Sequence, residues 1–134
     1  MHNFKEEDFK ILLKNLSLDS ETSLIAELCG LVGVDEVNNK LIYQKMKNRA
    51  QTPENYFMID PYDYLSFIKK YKLLLIFHSH LLGDESPSEF DLKTSENSCV
   101  PFLIYSICTE KFSLYEPQYK DYDVNIIEGL RNLI

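Results

Sequence analysis

A chain of 134 residues, 45% hydrophobic and with 9 Tyr and 8 Phe, is long enough to build one domain around a full core. Its formal charge of -7, from 14 basic and 21 acidic side chains, repels phosphate backbones and anionic lipid, which argues against nucleic acid and membrane partners. There is no basic leader followed by an apolar segment and no uninterrupted apolar run of spanning length, so a cytoplasmic protein is expected. Cys29, Cys99 and Cys108 are odd in number and lack C-x-x-C spacing, which disfavours a disulfide framework or a cysteine zinc site. They read as small buried hydrophobes. His2 reads as a simple terminal residue.

Lys5-Glu6-Glu7-Asp8 reads as a solvated helix face, and Phe4, Phe9, Ile11, Leu12, Leu13 and Leu16 recur at helical spacing. Asp19-Ser20-Glu21 offers cap chemistry before a second apolar segment, Leu24 to Leu28, expected to lead as a helix toward Glu27. Cys29 to Val34 and Lys40 to Met46 read as a hairpin around the polar turn formers 35–39. Pro53 to Tyr56 is a loop or edge. Asp60-Pro61 is a cap and first-turn proline for a helix through about Tyr71, with Tyr64, Phe67 and Ile68 on its apolar face. Tyr56, Phe57, Tyr62 and Tyr64 read as core packing, with a peptide-binding groove as the alternative.

Leu73 to His78 is the expected core strand, Ser88 to about Ser98 a helix, and Val100 to Cys108 a strand that pairs with Lys111 to Tyr115. Pro117 to Ile134 reads either as a last strand around Val124 to Ile127 plus a short helix, or as a segment that docks on a partner. Alternating helices and strands with short connections predict an α/β (α+β) domain with helices flanking a sheet. One domain over 1–134 is expected, with a motif-bearing core of about 20–118 and a tail of 119–134.

Chemistry concentrates in the stretch from His78 to Asp91, which reads H-x-H-x7-S-x2-D. Side chains alternate along a strand, so His78 and His80 project from one face at the end of the apolar run. Ser88 after Pro87 is placed to cap a helix, with Asp91 in its first turn. Two imidazoles and one carboxylate, with a position left for water, form the ligand count of a catalytic zinc. Asp84 and Glu85 read as parts of a solvated turn.

These residues resemble the JAMM (MPN-plus, or JAB) metallopeptidases, whose motif is H-x-H-P-x6-S-x2-D with an upstream glutamate before Gly-Leu. Glu27-Leu28-Cys29-Gly30-Leu31 supplies the upstream part, and Leu81 stands where the family has proline, so the loop 81–87 is expected to be less rigid or differently shaped. Asn48-Arg49-Ala50, Pro53, Tyr56-Phe57 and Ile59-Asp60-Pro61-Tyr62 extend the likeness, most closely to the N-terminal domain of the lambda-type tail assembly protein K. In those proteins an NlpC/P60-type domain follows, and it is expected to be absent here.

The resemblance implies a mixed, largely antiparallel sheet of cytidine-deaminase-like type. It also implies one zinc ion per chain held by His78, His80 and Asp91. Glu27 would be general base and then acid, and Ser88 would be the donor to the oxyanion. The implied reaction is hydrolysis of a peptide or isopeptide bond in a phage tail protein, in host cytoplasm. The alternatives are a stand-alone bacterial peptidase acting on a ubiquitin-like or sulfur-carrier protein, and a non-catalytic MPN scaffold.

Overall fold

A computed structural model describes residues 3–134, so His2 lies outside the described residues. The elements run α1 (Glu6–Ser20), β1 (Cys29–Asp35), β2 (Lys40–Met46), α2 (Pro61–Lys70), β3 (Lys72–His80), α3 (Glu89–Ser98), β4 (Phe102–Ser106), β5 (Lys111–Tyr115) and α4 (Val124–Arg131). The strands form one sheet in the order β2-β1-β3-β4-β5. All neighbours are antiparallel except β3 and β4, which are parallel and therefore need the crossover that α3 supplies. This is the mixed, largely antiparallel α+β architecture expected from the sequence.

Each sheet face has its own apolar layer. On one face α1 and α4 bring Phe9, Leu12, Leu16, Ile127 and Leu130 against Val32, Leu75, Phe77 and Leu103. On the other, Phe67 of α2 and Phe57 of the preceding loop pack with Cys29, Leu31, Ile76 and Phe102. Gly30 permits a close approach on the first face, because a β-carbon there would lie 2.7 Å from the Tyr43 ring and 2.8 Å from the Gln44 carbonyl. The Tyr43 ring packs over Gly30, and its hydroxyl donates to Asp19 Oδ2 at 2.7 Å.

Four expectations are corrected. No helix leads to Glu27: α1 ends at Ser20, and Leu24 and Ile25 are exposed instead of forming a buried face. Hydroxyls end it, since Ser20 Oγ donates back to Leu16 O, Thr22 Oγ1 to Asp19 O and Ser23 Oγ to Ala26 O, competing with the helical ladder. The tail forms no strand. Asp123 accepts from Asn125 and Ile126 N–H to start α4, whose Ile126, Ile127 and Leu130 close this chain's own core. Ile68 lies on the solvent side of α2, and Cys108 is exposed in the turn after β4. No described helix is long and apolar enough to cross a membrane.

Candidate metal centre

The centre sits at the carboxyl end of β3, where the chain crosses over to α3. His78 and His80 face the same side of β3, while Ser79 between them points away. Ser79 ties in the upstream segment: its Oγ accepts from Leu28 N–H and its own N–H donates to Leu28 O, both at 2.9 Å. Cys29 is paired with His78, so continuing the antiparallel register sets Glu27 abreast of His80. Residues far apart in sequence are thus aligned by one strand pairing.

Helix α3 brings the carboxylate. Ser88 is its N-cap, with Oγ accepting from Asp91 N–H at 3.1 Å while Ser88 N–H donates to Asp91 Oδ2 at 2.9 Å. This reciprocal pair is a capping box with aspartate as its acid. It fixes the Asp91 side chain so that Oδ1 lies 3.0 Å from His78 Nε2 and Oδ2 lies 3.0 Å from His80 Nε2. One ligand atom from each of His78, His80 and Asp91 lies within 4.8 Å of the others, a grouping that can hold a metal ion.

The polar bookkeeping fits a cation. His78 is wholly buried, stacked on Phe57 at 4.5 Å and edge-on to Phe102; its Nδ1 has no partner, and its Nε2 lies 3.0 Å from Asp91 Oδ1 without the alignment of a hydrogen bond. Such an orphan is costly unless something else satisfies it. His80 Nδ1 lies 2.9 Å from Asp84 O, so an N–H there points its Nε2 lone pair toward Asp91, the outer contact that commonly orients a metal-binding histidine. Two imidazole nitrogens and a carboxylate oxygen are also a donor set suited to zinc.

The charges are strongly coupled. Burial pushes the Asp91 carboxyl up, but the close approach of His78 and His80 and the Ser88 N–H overcome it, holding the group far below the usual carboxylate range. Burial lowers the His78 pKa despite Asp91. Burial also lowers His80, but contacts with Asp91 and the Asp84 carbonyl outweigh it and raise the net value. Glu27 is only 7% exposed. Burial raises its pKa to about 8, with His80 lowering it and Asp91 raising it by lesser amounts. Glu27, His80 and Ser88 line a common cleft of about 300 Å³, together with Glu54 and Asp84.

The loop 81–87 is tethered despite lacking the proline. Ser106 Oγ donates to Gly83 O at 2.8 Å, Cys108 Sγ to Leu81 O at 3.3 Å, Thr109 Oγ1 to Glu85 Oε1 at 2.6 Å, and Ser113 Oγ to Glu85 O. The β4–β5 hairpin therefore holds the loop at several points. The Asp84 side chain accepts from Ser86 N–H, as expected of a turn residue, while its carbonyl orients His80.

Sequence reasoning missed Asn48 as a positioning residue. Its Nδ2 donates to Glu27 O at 3.0 Å, Tyr56 O at 2.9 Å and Pro53 O at 3.3 Å, while Oδ1 accepts from Ala50 and Met58 N–H. Glu27 N–H also donates to Pro53 O at 2.7 Å, so Asn48 clamps the Glu27 segment to the loop beside it. The available signals were an asparagine just after a strand and before a proline-containing loop, and its place in the Asn48-Arg49-Ala50 likeness. Asn48→Ala leaves several of these groups without partners and should cost roughly 2–4 kcal/mol in denaturant unfolding. A wild-type midpoint would contradict the clamp.

Residues 10–118 match the family model Prok-JAB, prokaryotic homologs of the JAB domain. Among solved structures the chain is similar to a protein from Desulfitobacterium hafniense determined in solution, with 20% identity and a TM-score of 0.63 over 86% of this chain and 93% of that one. It is also similar to a JAB1/MPN domain protein from Archaeoglobus fulgidus, with 16% identity and a TM-score of 0.48 over 81% and 85% of the two chains. A Salinibacter ruber protein gives 14% and 0.49 over 84% and 90%. No curated protein matches. The chain belongs to the family of prokaryotic homologs of the JAB domain.

Proposed function

We propose that this protein is a zinc-dependent peptidase that hydrolyses a peptide or isopeptide bond. The observation that carries the reading is the wholly buried His78, which makes no aligned hydrogen bond and whose Nε2 lies 3.0 Å from a carboxylate that also meets His80. His78, His80 and Asp91 would hold the ion, one per chain. When bound it would supply Lewis acidity and lower the pKa of water toward ~7.

The remaining steps belong to side chains around the cleft. Glu27 takes the proton of the attacking water and passes it to the departing amine, from a position in the same cleft as His80 and Ser88. Ser88 accepts from Asp91 N–H through Oγ, which leaves its own O–H to donate to the carbonyl oxygen as charge builds there. Such a donor is typically worth ~3 kcal/mol of barrier. Asp84, through its carbonyl, and Asn48 hold His80 and the Glu27 backbone in register for these roles.

The biological setting we propose is phage tail assembly, with a tail protein as substrate and the host cytoplasm as location. This rests on the likeness of the 48–62 segment and the paired motifs to tail assembly protein K, with 1–134 acting as one peptidase domain. Cleavage of a quenched fluorescent peptide mixture by the zinc-loaded protein, loss of cleavage on chelation and its return with added zinc is the expected result. A zinc-loaded protein that cleaves no peptide would contradict the proposal.

A further inference from the structure

The segment that borders the metal cleft through Glu54 and Asn55 also lines a second cavity, of about 690 Å³, through Arg49, Tyr56, Phe57 and Met58, with Phe90 of α3 alongside. Its lining leaves large apolar groups uncovered: Tyr56 is 47%, Met58 59% and Phe90 37% exposed. This corrects the expectation that the aromatic cluster is core; Phe57 is buried, but Tyr56 and Tyr62 are not. The wall is preformed, because Arg49 N–H donates to Met58 O at 2.8 Å and Asn48 bonds the backbone at Ala50, Tyr56 and Met58. A groove of fixed shape loses little entropy when it is filled.

Two rings join this groove to the metal centre. Phe57 lines it while stacking on His78 at 4.5 Å. Phe90 immediately precedes Asp91 and meets Tyr56 and Phe57 edge-on at 5.2 and 6.2 Å. The charges also differ between the two cavities. The groove lining has no carboxylate, and its single cation, Arg49, is paired with Asp60 at 3.2 Å. The metal cleft carries Glu54 and Asp84, which would repel an acidic peptide.

Building on the peptidase reading, we infer that the groove is a specificity subsite for the substrate, seating a bulky apolar side chain of a neutral or basic peptide while the scissile amide lies in the metal cleft. One ring separates the groove from His78, which places the seated residue within roughly two residues of the cleaved bond. The subsite selects peptides with Leu, Met or Phe there over peptides with Ala or Asp.

The test uses blocked seven-residue Ala/Gly peptides with a central Leu, Phe, Ala or Asp, titrated into the zinc-loaded, 15N-labelled protein. Leu and Phe peptides are expected to shift the amides of 49–58 and Phe90 and to bind at least fivefold tighter than the Ala peptide. Met58→Glu should erase that preference while leaving zinc content unchanged. Equal binding of all four peptides, or shifts confined to other surfaces, would overturn the subsite. Mass spectrometry of the same samples separates the two readings. Groove shifts without cleavage uphold the subsite and overturn the peptidase; cleavage indifferent to the central residue and to Met58→Glu does the reverse.

Discussion

Glu27→Gln should abolish hydrolysis, by at least ~10³-fold in kcat, while zinc content stays at wild-type level, because the amide fills the same space but cannot carry the proton. The same substitution should stabilise the metal-free fold at alkaline pH. The folded pKa of Glu27 is raised from 4.5 to about 8, so between those values the native chain holds a proton that the unfolded chain releases. Stability therefore falls as pH rises through that window, and a glutamine escapes the loss. At pH 8 the variant should exceed the metal-free wild type by about 4 kcal/mol in urea unfolding, with the gap closing toward pH 4.5. Equal stabilities at pH 8, or retained hydrolysis, would remove Glu27 from the role proposed for it.

Asp91→Ala is expected to have the largest combined effect. It deletes the group that both histidines approach and the acid of the α3 capping box, so zinc affinity should fall by more than ~10³. The metal-free fold should lose roughly 2–4 kcal/mol at neutral pH, from the Ser88 N–H left without its acceptor and from two imidazoles that lose the carboxylate beside them. The pH dependence has the opposite sense to that of Glu27. The Asp91 pKa is depressed in the folded state, so its stabilisation is present above 3.8 and is lost as acid protonates it. Acid unfolding of the variant should accordingly be shallower than that of the wild type. Calorimetric zinc titration and unfolding at pH 7 and pH 3 check both effects; a variant that still binds zinc tightly would exclude Asp91 as a ligand.

Local patterns in the sequence carried most of the sheet and much of the site. The alternation of His78 and His80 at the end of an apolar run, and Ser88 three residues before Asp91, encode a strand end and a capped helix whose geometry follows from covalent periodicity. The hairpin of β1 and β2 was likewise legible from its polar turn. What could not be read depends on competition or on long-range pairing. The stretch 24–28 looked helical by composition, but Ser20, Thr22 and Ser23 divert backbone bonds and leave Leu24 and Ile25 in solvent. Val124 to Ile127 read either as a strand, which β-branched residues favour, or as part of a segment docking on a partner; the Asp123 cap and the burial of Ile126, Ile127 and Leu130 against α1 made it a helix.

The support of the centre was hidden for the same reason. Nothing near Asn48 in sequence indicates that it clamps Glu27, or that four residues of the β4–β5 hairpin would tether the loop that lacks its proline. The tether keeps the Asp84 carbonyl on His80, so the departure at Leu81 leaves the contact between His80 and Asp91 in place.

The most direct test is elemental analysis of the purified protein beside His80→Ala, before and after zinc is added and the excess removed. One zinc per wild-type chain, absent from the variant, is the predicted result. A wild-type protein that retains no metal after zinc addition, or a variant that retains as much as the wild type, would contradict the centre built from His78, His80 and Asp91.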